Sequence, residues 1–405
     1  MARSKATLGD GARLADFLSA SLLARVYPSA TVERVLEERG CGSQRVRSFP
    51  AVAVAYYAMS LSLYPEASYE EVFGAVTAGL AWQAGSAEWP TVSKSSISEA
   101  RSKLSWQALR DLQARCCLPL ATAQEHPEAF YQGLRLIAVD GSCFELPDEA
   151  DNAEAFGYPG TKHGVTGYPQ ARCAVLVECG THAVLAARLG AYRESEWSLA
   201  RELIEQMPAD TLCLADRGFC GYEHWKSAVA SGAQLLWRMP RSLTLPEYER
   251  LADGSYRSAL YRSRDDRRDR RDGLPVRVID YTLTGSDEPF YRLLTTLQDE
   301  TTAPAPELVQ LYHERWEIEG VFDELKVHQT AKRRTLRSKT AALVRQEFYG
   351  WLLAHYAVRW LIHAAARERQ LAARSLSFAA NLQILRRQQP RSGAIPPSGP
   401  PTLVG

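Results

Sequence analysis

Leu134-Arg135-Leu136-Ile137-Ala138-Val139-Asp140-Gly141-Ser142 is a short apolar run that ends on an acid and is closed by glycine. That pattern reads as a buried strand. A second run repeats it: Thr211-Leu212-Cys213-Leu214-Ala215-Asp216-Arg217-Gly218-Phe219. An aspartate at a strand end with glycine beside it can reach a metal ion, because glycine lets ligand and backbone approach closely. Either aspartate alone also reads as a cap or turn residue.

Further along, Tyr312, Arg315, Glu319 and Lys326 fall on one predicted helix. At about 100° per residue they sit at roughly 0°, −60°, −20° and −40°, inside an arc of about 60°. Leu311, Ile318, Phe322 and Leu325 form an apolar stripe beside them, centred near about −110° on the same geometry. The helix would bury that stripe and hold the polar row at its edge. A carboxylate flanked by Arg, Lys and Tyr suits a phosphate backbone and a metal ion; the spacing alone fits a solvated, ion-paired face as well. With Glu319, the two aspartates make a three-carboxylate set. Hard divalent ions such as Mg²⁺ take oxygen ligands and keep positions open for water and phosphate. Two such ions about 4 Å apart serve phosphodiester displacement. No Cys or His pair with zinc-like spacing competes with this set.

These residues resemble a known family, the bacterial DDE transposases of the insertion-sequence-four family. The resemblance rests on Asp140 in Val139-Asp140-Gly141, Asp216 in Asp216-Arg217-Gly218-Phe219, and Glu319 within the Tyr-Arg-Glu-Lys signature at its full spacing. It extends over roughly residues 14–388. Arg45-Val46-Arg47-Ser48-Phe49-Pro50 and Ser68-Tyr69-Glu70-Glu71-Val72 resemble the family's N-terminal domain. Thr335-Leu336-Arg337-Ser338-Lys339 to Gln346-Glu347-Phe348-Tyr349-Gly350 resemble the helices that follow the signature. The resemblance implies Asp140, Asp216 and Glu319 as catalytic metal ligands holding two Mg²⁺ ions, with Mn²⁺ as a substitute. It implies Tyr312, Arg315 and Lys326 as phosphate-positioning residues, with Arg217 a further candidate. The implied partners are double-stranded DNA, as terminal inverted repeats and target, and a second copy of the chain in a synaptic homodimer.

The order of elements agrees with a ribonuclease H-like α/β core. After the Asp140 strand come predicted strands at 171–179 and 183–192, joined at Gly180-Thr181-His182 as a hairpin. A helix at 195–206, a strand at 212–216, a helix at 222–230 and a strand at 235–239 follow. This order places both aspartates on adjacent central strands and Glu319 on a helix packed against them. Glu196, at the start of a helix, is read as structural, near that helix's positive end. The expected domains are a helical N-terminal domain at 1–128, a catalytic domain at 129–346 with a β-rich insertion at about 240–303, C-terminal helices at 347–388, and a disordered tail at 389–405. Trp237, at the edge of the insertion, reads as a core residue. The tail holds ten Pro, Gly or Ser in seventeen positions, and there the resemblance stops; a truncated or frame-shifted reading frame fits that departure.

The net charge of +1 conceals an uneven distribution. Residues 326–346 carry seven Lys or Arg and no acid. Arg333, Arg334 and Arg337 are the candidate DNA-binding residues there, since acids alone would repel phosphates. Ser93 to Arg101 reads as a capped helix that could present Lys94, Ser95, Arg101 and Lys103 to DNA ends, or as an ordinary surface helix. The run Arg262 to Arg271 is diluted by Asp265, Asp266 and Asp269 and reads as an exposed loop. Eight cysteines without a paired framework suit a reducing cytosol. The apolar stretches at 50–63 and 348–366 read as buried helices, the first too short for a bilayer and the second interrupted by His355 and Arg359. The reading is therefore a cytoplasmic, Mg²⁺-dependent transposase with no membrane partner. Another ribonuclease H-like nuclease, or a catalytically idle DNA-binding regulator derived from a transposase, are the alternatives.

Overall fold

The computed structural model describes residues 7–8, 12–13, 22–43, 49–83, 92–161, 164–165, 167–283, 288–329 and 335–387. Packing divides the chain into two compact units. One comprises Ala121–Cys143 and Arg172–Val321; the other comprises Met1–Leu120, Phe144–Ala171 and Phe322–Gly405.

The first unit is built on a mixed sheet. Besides the two-residue strand Phe130–Tyr131, which pairs with the first of them, its strands are β1 (Leu134–Glu145), β2 (Gln170–Glu178), β3 (Ala183–Ala191), β4 (Thr211–Ala215), β5 (Gln234–Met239), β6 (Glu249–Arg250), β7 (Tyr256–Leu260), β8 (Leu274–Tyr281) and β9 (Tyr291–Thr295). Their spatial order is β6-β7-β8-β9-β5-β4-β1-β2-β3. β1, β4 and β5 run parallel at the centre, and β2 and β3 form the expected hairpin on one side. The five-strand order β3-β2-β1-β4-β5, with a helix after β3 and after β4, is the ribonuclease H-like core. The central strands are apolar throughout because both faces are covered. On one face Ile137, Val139, Cys213, Ala215, Leu235 and Trp237 pack against Leu199, Leu203 and Ile204 of the helix Glu196–Glu205 and Trp225 and Ala228 of the helix Tyr222–Ala230. Trp237 is fully buried there, edge-on to Trp225.

The segment expected as a β-rich insertion does not make a sheet of its own. β9 pairs antiparallel with β5, and β8, β7 and β6 continue outward in antiparallel steps. Arg277 on β8 is completely buried and bonds to Asp253, to the Ser255 hydroxyl and to the Ala303 carbonyl. Asp253 in turn accepts from the Ala305 N–H at 2.8 Å, at the first turn of the helix Ala305–His313. The extension thereby fixes where that helix starts. The arginine-rich run 262–271 contains a short helix, Arg264–Asp269, whose exposed side chains pair among themselves.

The second unit is helical. The helix Ala341–Arg369 is its axis, and the helices Ser29–Glu38, Ala51–Leu63, Tyr69–Gln83, Lys94–Lys103, Trp106–Cys116, Ala150–Phe156 and Phe378–Arg387 belong to the same unit. Helices expected in separate domains at 1–128 and 347–388 therefore pack as one body, together with residues 144–171. Local signals start the N-terminal helices. Pro28 and Pro50 stand at N-caps. Ser68 and Glu71 form a capping box, each side chain accepting the other's backbone N–H. Arg101 is not offered to solvent: its guanidinium donates to Gln346 and Ser338, both at 3.0 Å. Of its helix, Lys94 and Ser95 are exposed, and Lys103 pairs with Glu99. His355 and Arg359, which break the apolar run 348–366, are buried against the carboxylate of Glu324. Among the described residues no helix is long and apolar enough to cross a membrane. None of the eight cysteines is in a disulfide.

Gly350 marks the closest approach of the axis to Ala51–Leu63. A Cβ there would lie 2.6 Å from the Ala58 carbonyl oxygen, a backbone atom that cannot move alone. Gly74, on the helix Tyr69–Gln83, has open space around it. Alanine favours a helix over glycine by about 1 kcal/mol at either position. Gly74→Ala should therefore raise the melting temperature of the full chain slightly. Gly350→Ala should lower stability by about 1–3 kcal/mol through overpacking, seen as a fall in Tm by circular dichroism.

Candidate active site

The parallel register brings the two aspartates together. Val139 on β1 is opposite Ala215 on β4, so Asp140 and Asp216 follow at the same level on neighbouring strands. β1 runs on through Gly141 to Glu145 rather than ending at the glycine. β4 stops, and Asp216 caps a single 3₁₀ turn, Arg217–Phe219, by accepting the Gly218 N–H at 2.8 Å. Asp140 accepts the N–H of Gly141 at 2.7 Å.

The signature segment is not one uniform helix. The α-helix Ala305–His313 passes into a 3₁₀ turn at Glu314–Trp316, an α-helix at Glu317–Asp323 and a π-helical stretch at Glu324–Gln329. Tyr312, Arg315, Glu319 and Lys326 stand in these four pieces in turn, so the arc drawn at constant rotation does not hold across them. Ile318, Phe322 and Leu325 are buried as the stripe requires, and Leu311 is half-buried.

Arg315 links the acids. It is 7% exposed. Its Nη1 lies 3.3 Å from Asp140 Oδ2 and its Nη2 lies 3.6 Å from Glu319 Oε1. Its buried Nε has no hydrogen-bond partner among the described residues. Tyr312 is buried and donates its hydroxyl to the Ala215 carbonyl at 3.3 Å. That contact braces the end of β4, one residue before Asp216. Burial raises the phenol's pKa further. Arg217 is exposed. Lys326 belongs to the helical unit, where its ammonium lies 5.0 Å from the centre of the Phe144 ring. Arg333 and Arg334 lie outside the described residues. Arg337 is half-buried; its guanidinium donates to the Ala67 carbonyl at 2.8 Å and lies over the Tyr69 ring.

A fourth carboxylate lies at this site. Glu196, read from sequence as a helix-start residue, lies against Gly141 and has Arg172 as an ion-pair partner at 3.3 Å. Nothing in the spacing of the strands signals it. Burial pushes the Asp140 carboxyl up to about 6, the Gly141 N–H and Arg315 oppose the shift, and the charges of Asp216 and Glu196 add to it. Burial likewise raises Glu196, against Arg172 and with Asp216. Crowded, partly desolvated carboxylates with oxygen donors only are a donor set for a hard divalent cation.

The residues matched by known families fall on this architecture. The model described as "Transposase DDE domain" matches residues 131–357, and "Insertion element 4 transposase N-terminal" matches residues 18–114. This chain belongs to the DDE transposase family. Its sequence is 29% identical over 332 residues to the transposase InsG for insertion sequence element IS4 of Escherichia coli K12, covering 81% of this chain and 73% of that one. It is 26% identical over 162 residues to the putative transposase InsZ of the same organism, covering 38% and 52%. A cryo-EM structure of a piggyBac transposase synaptic complex with hairpin DNA is similar at a TM-score of 0.44 and 11% identity, over 91% of this chain and 79% of that one; a likeness so distant carries no weight. The DDE transposase is an enzyme that cleaves nucleic acid and transfers strands with the help of divalent metal, which sets aside the idle-regulator and other-nuclease readings.

The raised Asp140 pKa has a stability consequence. A carboxyl with a higher pKa folded than unfolded destabilises the fold once ionised, an effect absent at pH below the unfolded value and complete above the folded one. Asp140→Asn should therefore stabilise metal-free protein at pH 7, by at most roughly 2–3 kcal/mol. The gain should shrink as pH falls from about 6 towards 4. Melting curves in chelator at the two pH values check this. Added Mn²⁺ should then raise the Tm of the wild type more than that of the variant.

Proposed function

We propose that this transposase nicks double-stranded DNA at the ends of an insertion sequence and joins the freed 3′-hydroxyl to target DNA, using two Mg²⁺ ions held by Asp140, Asp216 and Glu319. The observation that supports this reading is the register Val139–Ala215 together with the Arg315 bridge from Asp140 to Glu319. Bound divalent ions supply activation of the attacking hydroxyl and stabilisation of the leaving oxygen. The chain's own residues set the geometry. Tyr312 holds the Ala215 carbonyl and with it the Asp216 turn. Arg315 holds Glu319 towards Asp140. Lys326 and Arg217 serve as further cations for the phosphates.

In the first step water attacks phosphorus, and the 3′ oxygen leaves and is protonated. In the second, that 3′-hydroxyl attacks a target phosphodiester and displaces a 3′ oxygen there, so no bond energy is lost between the strands. Two copies of the chain hold the paired ends in the synaptic complex. Arg333 and Arg334 contact backbone phosphates; Arg337, engaged with Ala67 and Tyr69, serves the fold.

Two substitution sets test this. Asp216→Asn and Glu319→Gln should each reduce nicking of terminal-repeat DNA to below about a hundredth of wild type and leave DNA affinity in gel-shift assays unchanged. Near-normal nicking by either would overturn the metal-site assignment. Replacing Arg333 and Arg334 by Gln should weaken binding to all sequences alike and make the slope of log K against log salt shallower by up to about 0.9 per lost contact. Arg337→Ala should instead lower Tm.

A further inference from the structure

Glu196 opens the helix Glu196–Glu205, which Ser195 caps by accepting the Ser198 N–H at 3.1 Å. The cap is complete without the glutamate. Its side chain turns inward instead, across the two glycines that follow the aspartates. A Cβ on Gly141 would lie 2.3 Å from Glu196 Cγ and 2.5 Å from its Cδ. A Cβ on Gly218 would lie 3.0 Å from Asp216 Oδ1 and 3.7 Å from Glu196 Oε2. The absence of a side chain at 141 is therefore what makes room for this carboxylate. Arg172 takes Oε1, and among the described residues no group donates to Oε2.

Charge points the same way. Among the described residues, Arg172 and Arg315 are the cations ion-paired with Asp140, Glu196 and Glu319. The four carboxylates outnumber those two arginines in a partly desolvated place, which suits divalent cations. An acid that served only the helix dipole would gain its few tenths of a kcal/mol while fully solvated.

We propose that Glu196 is a fourth carboxylate of the metal site, with Oε2 as its ligand atom, directly or through a water, while Arg172 pairs with Oε1. The inference rests on Asp140, Asp216 and Glu319 being the metal site.

The test uses the full chain and Mn²⁺ as probe. Mn²⁺ binding without DNA is read from the electron paramagnetic resonance signal of the free ion, and nicking is read as a function of Mn²⁺. Glu196→Gln should raise the Mn²⁺ Kd by about tenfold or more and move the nicking curve to higher Mn²⁺ by a similar factor. Glu196→Asp, which keeps the charge but withdraws the carboxylate by one methylene, should do the same and serves if the glutamine variant does not fold. Arg172→Met breaks the same ion pair and should leave the Kd unchanged or lower it. Asp216→Asn is the reference: if it retains Mn²⁺ binding and nicking, the parent reading fails. If it loses both while Glu196→Gln and Glu196→Asp stay within twofold of wild type, Glu196 is a structural helix residue and only this proposal falls. A rise in Kd for Arg172→Met equal to that for Glu196→Gln assigns the effect to the ion pair and also overturns it.

Discussion

The pairing of Val139 with Ala215 is the constraint on which the rest depends. Two parallel strands in that register deliver Asp140 and Asp216 side by side without any loop having to be folded around them. A slip of one residue would turn each side chain to the opposite face and separate the pair. The register is protected because both faces of the central strands are apolar and covered, so a slip would also disturb the packing of Trp225 and Trp237. The buried Arg277 network performs a related service at a distance, since it fixes the start of the helix that carries Tyr312.

Electrostatically the site is built against its own stability. Carboxylates are drawn together and partly removed from water, and Arg315 with Arg172 compensates only part of their charge. The raised Asp140 carboxyl is the signature of that conflict. Perturbed groups of this kind concentrate where charge must be met by something that arrives later. Arg315 spans Asp140 and Glu319 through two long contacts, at 3.3 and 3.6 Å.

Much of this was legible in the residues. The strands, the hairpin and both sheet-covering helices follow from apolar runs, glycine punctuation and serine caps, which act locally. Both aspartates could be placed because the apolar run before each is a local signal, although only Asp216 stands at a strand end. The signature segment was less legible, because rotation per residue was taken as constant, whereas Glu314–Trp316 tightens and Glu324–Gln329 widens the helix. Burial of Glu324 between His355 and Arg359 accompanies that widening and depends on a helix some thirty residues further on. Glu196 was read as a helix-start residue; that its side chain lies against Gly141 is something only the folded backbone reveals. Arg101 and Arg337, on segments that look basic, donate to Gln346, Ser338 and the Ala67 carbonyl, a use to which arginine is well suited.

The order of segments along the chain carries a consequence for biosynthesis. The sheet unit is interrupted only by residues 144–171, and its last strand pairing is complete once Thr295 has emerged. The helical unit must wait for Ala341–Arg369, the partner of Ala51–Leu63. At roughly 5–20 residues per second, the apolar faces of the first helices stay without that partner for some tens of seconds on the ribosome. The nascent protein thus holds a finished catalytic sheet before its helical half can close, and chaperone demand should concentrate on the amino-terminal third of the message.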